Sequence, residues 1–184
     1  MSHVCPWWLA YTFDNRLRSL FHSPENLLSP YVRPGMTVMD AGCGMGIFSI
    51  GMARLVGDDG LVISVDIQKE MLEVLERRAA KAGVEHRIRT FLCEPERIGD
   101  HKDVHFALAF WMVHEVQRPN EFFEQVYSCL SNESLFLLAE PRGHVSPKFF
   151  KNLIEGVQKA GFKLCAQPFV RFSRAALFSK DGIG

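Results

Sequence analysis

The sequence predicts an α/β fold: a mostly parallel seven-stranded sheet with helices on both faces and an antiparallel β-hairpin at its C-terminal end. Three stretches carry the prediction. Between Thr37 and Ile50, apolar residues run up to Asp40, glycines follow at Gly42, Gly44 and Gly46, and an apolar helical pattern opens at Ile47, which reads as strand, tight turn and helix. Leu61 to Asp66 is a second apolar strand whose closing acid lies twenty residues beyond Gly46. Lys163 to Phe169 and Ala175 to Ser179 are β-like and separated by only five residues, Val170 to Arg174, a link too short for the crossover that parallel neighbours need.

With 184 residues the chain is long enough for one α/β domain and leaves little for a second. Residues 1–184 are therefore read as a single domain, with an N-terminal arm and helices over 1–33 as a candidate lid and a cofactor-binding core over 34–184. A hydrophobic share of 47% and a charged share of 23% suit a soluble globular protein. Lys plus Arg and Asp plus Glu both total 21, so no general pull toward a polyanion follows, which weighs against a nucleic acid partner. The five cysteines (Cys5, Cys43, Cys93, Cys129, Cys165) are odd in number and widely spaced, as expected of reduced thiols in a cytoplasmic protein. The start lacks a basic region followed by an apolar core, and no apolar run reaches membrane-spanning length, so neither secretion nor a membrane span is expected.

Taken in order, the chain opens with Trp7 and Trp8 beside His3, Cys5 and Pro6, ahead of any regular element. Two readings stand: an arm that covers core surface with aromatics, and a lid whose rings wall a substrate pocket. Phe13 to Phe21 carries Leu17, Leu20 and Phe21 on one side with Arg16 and Arg18 outward, a short amphipathic helix. Ser23 as N-cap and Pro24 at the first helical position start a helix through about Tyr31. Pro34 and Gly35 turn the chain into the first strand, around Met36 to Met39, and the helix from Ile47 to Val56 ends in the turn Gly57 to Gly60.

Gln68 to Ala82 places Met71, Leu72, Leu75 and Ala79 on one helical face and stops at Gly83. Ile88 to Leu92 is the third strand, followed by Cys93 and Glu94. Val104 to Met112 is apolar nearly throughout, as a central parallel strand covered on both faces should be, and the loop beyond its carboxyl end is where such sheets place ligands. A helix from Asn120 to Leu130, a strand from Ser134 to Ala139 and a helix from Pro147 to Ala160, closed by Gly161, complete the pattern.

The glycines at 42, 44 and 46 take backbone angles that other residues resist and carry no Cβ to hold a ligand off the main chain. The first N–H groups of the following helix can then face an anionic group. Asp66, at the tip of the second strand, is placed to accept hydrogen bonds from both ribose hydroxyls of an adenosine. A nicotinamide cofactor asks for a third small residue where Ile47 stands, and its sheet lacks the terminal antiparallel pair, so a dehydrogenase is disfavoured. At the ends of the fourth and fifth strands, His114, Glu115, Glu140, Arg142 and His144 should emerge on one side of a parallel sheet, with His114 and His144 as candidate proton-handling groups.

Asp40 to Gly46, in the pattern Asp-x-Gly-x-Gly-x-Gly, resembles motif I of the class I methyltransferases that use S-adenosylmethionine (SAM). Asp66 to Leu72 is similar to their acidic-loop motif, with Gln68 where Ser is usual. From about Pro34 to Ser179 the chain resembles the small members of that family, in the broad group that includes quinone-biosynthesis and arsenite methyltransferases. The resemblance implies a Rossmann-like sheet, SAM as cofactor and S-adenosylhomocysteine as product. It further implies that Gly42, Cys43 and Gly44 offer backbone to the methionine end, and that Asp40 orients the glycine turn or reaches the ammonium group. Asp66 would bind the ribose, Ile67 and Met71 would flank the adenine, Glu94 would stand near the adenine amino group, and Phe110 and Trp111 would wall the adenine or methionine part.

The implied reaction is in-line displacement at the sulfonium methyl, with His114 or His144 removing a proton where the acceptor is a hydroxyl, a thiol or an activated carbon. Trp7, Trp8, Glu115 and Arg142 are the candidate substrate residues. A small-molecule acceptor is expected, since the Asn-Pro-Pro-Tyr motif of amino-directed DNA methylation is absent, and the protein is expected to be a monomer or homodimer. Two other readings stay open. One is a metal-binding protein using His3, Cys5, His114 and His144, which lack a compact ligand motif. The other is a non-catalytic SAM-binding or interaction module.

Overall fold

The computed structural model describes residues 23–181, so the expected Phe13–Phe21 helix and the residues His3, Cys5, Trp7 and Trp8 lie outside the described residues. In chain order come α1 (Pro24–Leu28), β1 (Thr37–Ala41), α2 (Ile47–Val56), β2 (Leu61–Asp66), α3 (Lys69–Ala82) and β3 (Ile88–Leu92). They are followed by β4 (Val104–Phe110), α4 (Pro119–Cys129), β5 (Leu130–Pro141), α5 (Pro147–Lys159), β6 (Lys163–Ala166) and β7 (Ser173–Ser179). The strand order is β3-β2-β1-β4-β5-β7-β6, the expected seven-stranded, mostly parallel sheet with an antiparallel C-terminal pair. The chain divides into two compact units, one ending at Cys93 and the other beginning at Glu94.

In the first unit, β1 pairs with β2 and β2 with β3, all parallel, with Ala41 opposite Val65 and Asp66 opposite Leu92. The three strands therefore finish at one level, and that level is where the glycine turn and Asp66 sit. Val38, Met39, Val62, Ile63 and Val65 are buried, whereas β3 is an edge strand whose Phe91 and Leu92 are exposed. The amphipathic pattern of α3 holds: Met71, Leu72, Val74, Leu75 and Ala79 are buried, and Gly83 closes the helix at φ 69° with its N–H donated to the Ala79 and Ala80 carbonyls.

Helix α1 starts as expected, with the Ser23 hydroxyl accepting the Asn26 N–H, but it ends at Leu28 rather than near Tyr31. Pro30 has no N–H to carry the helical hydrogen bonding on, and the N–H groups of Tyr31 and Val32 turn back to the Leu28 carbonyl instead.

In the second unit, β4 and β5 are parallel, and β7 lies between β5 and β6, antiparallel to both. The core is aromatic: the Phe136 ring lies 6.3 Å from Phe123, 5.5 Å from Phe162 and 6.1 Å from Phe178. Strand β5 begins at Leu130, not at Ser134, because α4 passes into extended backbone with no loop. Leu130 pairs with Val104, the register then slips so that Phe106 pairs with Leu135, and the intervening polar residues bulge, with Glu133 at φ 58°. Among the described residues no helix is long and apolar enough to cross a membrane.

Candidate active site

The glycine turn of the first unit is held by backbone groups of β2. The N–H groups of Gly42 and Cys43 both donate to the Val65 carbonyl, at 2.8 and 3.0 Å. The Gly44 N–H donates to Oδ2 of Asp66 at 2.8 Å, while Oδ1 of the same carboxylate accepts the Gln68 N–H at 2.9 Å. Asp66 is only 7% exposed, so two amides orient a buried carboxylate at the tip of β2. All three glycines have positive φ, 69° at Gly42, 53° at Gly44 and 83° at Gly46, which is the physical reason for their type. Gly46 is the N-cap of α2, with no side-chain cap on the helix.

Asp40 points into the unit, not out of it. Its Oδ2 accepts the Ser49 hydroxyl at 2.6 Å, and Ser49 accepts the Ser64 hydroxyl at 2.9 Å, all three side chains being buried. This chain of hydroxyls ties β2 and β1 to the first turn of α2 and so fixes the helix start against the turn. Cys43 is buried, and burial first, then the carboxylates of Asp40 and Asp66, push its thiol well above the ordinary range. Ile67 is 36% exposed beside Asp66, whereas Met71 is buried against Met45 and Val74.

The second unit holds a separate cluster of titratable groups. The short helical turn Val113–Glu115 follows β4, and Glu140 lies at the end of β5 with its side chain 0% exposed. Oε1 of Glu140 accepts the Val113 N–H at 2.8 Å, and Oε2 lies 2.5 Å from Nδ1 of His114. The other ring nitrogen, Nε2, lies 3.8 Å from Oε1 of Glu115. The Arg142–Val145 turn, whose His144 and Val145 N–H groups donate to the Pro141 carbonyl, sets the His144 ring edge-on to His114 at 5.9 Å. The hydrogen bond to Glu140 raises the His114 pKa above the ordinary histidine value, burial opposes it, and the charges of Glu140 and Glu115 add to the rise.

Trp111 stands beside this cluster in sequence. Its backbone is left-handed, φ 59°, its N–H donates to the Ala139 carbonyl, and its indole Nε1 donates to the Ser173 hydroxyl at 2.8 Å. The ring stacks on Phe110 at 5.4 Å between centroids. Arg142 donates from Nε to the Ser173 carbonyl at 3.0 Å, so it braces the same strand end.

Of the residues read from the sequence, the structure thus groups Asp40, Gly42, Cys43, Gly44 and Asp66 in the first unit, with Ile67 and Met71 following on the chain. In the second unit it groups His114, Glu115 and His144, and Arg142 joins Trp111 through Ser173. Glu94 is exposed, its carbonyl accepting the Arg97 N–H, and belongs to neither group. Trp7 and Trp8 lie outside the described residues. Sequence reasoning placed Glu140 among the polar residues at a strand end but not as the buried partner of His114, and it missed Ser49 and Ser173. An acid directly after the apolar run Leu135 to Ala139 is the only local signal for the first. Among the described residues, no three His, Cys, Asp or Glu side chains are grouped to hold a metal ion.

Comparison with known proteins adds the family. The pattern of a methyltransferase domain matches residues 33–169, which takes in the glycine turn, Asp66 and the His114–Glu140 pair. The chain belongs to this methyltransferase-domain family. Among curated relatives, this methyltransferase-domain chain is 27% identical over 169 residues to the demethylmenaquinone methyltransferase of Symbiobacterium thermophilum, covering 82% of this chain and 65% of that one. It is 30% identical over 92 residues to the protein-L-isoaspartate O-methyltransferase of Thermotoga maritima, covering 50% of this chain and 28% of that one. The chain thus spans from about a quarter to just under two thirds of the length of these relatives. In fold it is similar to a SAM-dependent methyltransferase from Aquifex aeolicus, with a TM-score of 0.84 at 20% identity over 95% of this chain and 98% of that one.

Proposed function

We propose that this protein transfers a methyl group from SAM to a small-molecule acceptor. The observation that carries the reading is the Gly44 N–H to Asp66 carboxylate bond, which couples the glycine turn to the acid at the tip of β2. The residues present fit the cofactor. A carboxylate can accept about four hydrogen bonds, and Asp66 is a buried one aimed by backbone amides, the chemistry that a ribose diol needs. A Cβ placed on Gly44 would meet nothing within 4 Å, so the main chain is open to close approach there. Helix α2 begins without a side-chain cap, and its N-terminal end favours a carboxylate.

Bound SAM supplies an electrophilic methyl carbon on a sulfonium, open to in-line displacement by the acceptor. The chain's own part is to hold, orient and exclude water, and in the first unit that falls to Asp66 with Ile67 and Met71 for the adenosine and to Gly42 to Gly44 with Asp40 for the turn. His114, or His144 edge-on to it, is the candidate to take a proton from the acceptor, with Glu115 beside His114 and Arg142 on the turn after β5 as candidate acceptor contacts. A small-molecule acceptor is supported by the similarity to a demethylmenaquinone methyltransferase and by the zero net charge of this chain.

Calorimetric titration with SAM and S-adenosylhomocysteine tests the reading. We expect micromolar binding by the wild type and at least tenfold weaker binding by Asp66→Ala, about 1.4 kcal/mol. A well-folded wild type that binds neither compound would remove it.

A further inference from the structure

Glu140 is a carboxylate in the apolar interior, and the way it is used is specific. One oxygen is committed to a backbone amide, that of Val113, at 2.8 Å, and the other to the His114 ring at 2.5 Å. A backbone N–H cannot change its role, and a carboxylate offers only acceptors, so the nitrogen of His114 that faces Glu140 is the one that carries the proton. In the neutral ring that leaves Nε2, on the side of Glu115 and away from β5, as the nitrogen with a lone pair.

We propose that Glu140 is the positioning residue of this site: it selects the Nδ1–H form of His114, so that Nε2 is the nitrogen that accepts a proton from the methyl acceptor. The inference rests on the methyl-transfer reading for its purpose, but the pairing itself can be tested without SAM. It also narrows the chemistry of the acceptor. A site that holds a base at Nε2 serves a nucleophile that arrives carrying a proton, such as a hydroxyl or an activated carbon. The carboxylates of Glu140 and Glu115, on either side of the ring, disfavour an acceptor that arrives as an anion.

The geometry makes an unusual forecast for the isosteric variant. In Glu140→Gln one acceptor becomes an NH2 donor. The fixed N–H of Val113 needs the remaining oxygen, so the NH2 must face His114, and the imidazole, which can change tautomer, must turn Nδ1 into an acceptor and carry its proton on Nε2. A conservative substitution of a residue away from the acceptor should thus move the proton from one ring nitrogen to the other.

The test is a long-range proton–nitrogen correlation spectrum of the full chain labelled with 15N, taken through the titration of the ring, with His114 assigned by its loss in His114→Gln. The groups that bear on this titration are Glu140 from β5, Glu115 from the same turn as His114, and His144 from the Arg142–Val145 turn. We expect the wild type to show protonated Nδ1 and unprotonated Nε2 when neutral. We expect Glu140→Gln to show the reverse and to titrate at lower pH. A wild-type ring protonated at Nε2 overturns the proposal, as does a Glu140→Gln ring that keeps the wild-type tautomer. Should Glu140→Gln fail to fold, the wild-type spectrum alone decides. Loss of SAM binding with the expected tautomer would instead count against the methyl-transfer reading and leave the pairing in place.

Discussion

A Cβ built on Gly46 would stand 2.0 Å from Cδ1 of Leu75 and 3.0 Å from its Cγ, so the N-cap of α2 meets the buried face of α3 with no room for a side chain. Gly44, two positions earlier, has the opposite surroundings, with nothing within 4 Å of its Cβ position. Two glycines of one motif therefore serve different ends, packing at Gly46 and access at Gly44. Gly46→Ala carries both a left-handed backbone penalty and an overpacked contact and should lose about 2–4 kcal/mol in urea unfolding. Adding Leu75→Ala should give back part of the contact penalty, so the two losses are less than additive. Gly44→Ala should lose only about 1–2 kcal/mol while weakening SAM binding more than Gly46→Ala does. Equal stability losses at the two positions would show that this division is wrong.

The hydroxyl chain Ser64 to Ser49 to Asp40 makes a ranked forecast. Ser49 bonds the buried Asp40 carboxylate at 2.6 Å and also accepts from Ser64, whereas Ser64 stands at the outer end of the chain. Ser49→Ala removes a hydrogen bond to a charged group and should cost about 1.5–3 kcal/mol, and Ser64→Ala about 1 kcal/mol. Denaturant titration of the two variants reads the order, and a Ser64→Ala loss larger than that of Ser49→Ala would contradict it.

His114 also makes stability depend on pH. Its folded pKa is raised, first by the hydrogen bond to Glu140, so the folded chain holds this proton more tightly than the unfolded chain does. The contribution is complete below the unfolded value of about 6.5 and is lost as pH rises through the higher folded value. Against His114→Gln as reference, the wild type should therefore lose relative stability on going from mildly acid to mildly alkaline solution. Unfolding curves for the two proteins that stay parallel across that window would show that the pair stores no such energy.

What could be read ahead of the structure was local. The turn at Gly42 to Gly46, the acid at Asp66 and the antiparallel pairing of β6 with β7 each depend on residues a few positions apart, where glycine conformation and chain length act directly. The start of β5 escaped because Ser131 to Ser134 has loop-like composition yet pairs through a bulge. The pairing of His114 with Glu140 depends on which residues of two parallel strands end level, and neither side chain announces it. The left-handed Trp111 was equally hidden: it is held by the Ala139 carbonyl and the Ser173 hydroxyl, contributed by β5 and β7.

The cysteines give a last forecast, which bears on the glycine turn. Burial, followed by the Asp66 charge, pushes the Cys93 thiol up to about 11 from an ordinary 9.0, which lowers its thiolate fraction about a hundredfold. Cys129 is also raised, chiefly by burial, and Cys43 is raised well above the ordinary range, while Cys165 is exposed on β6. The thiolate is the form that reacts, so iodoacetamide at mildly alkaline pH should label Cys165 well before Cys43, Cys93 or Cys129, as peptide mass spectrometry can follow. A thiol that stays protonated at Cys43 adds no negative charge to the turn and packs as a small apolar group, which keeps the N-terminal end of α2 suited to an anionic ligand group. Early labelling of Cys43 would mean that the turn opens to solvent or that its thiol ionises readily, and either would contradict the packed turn described above.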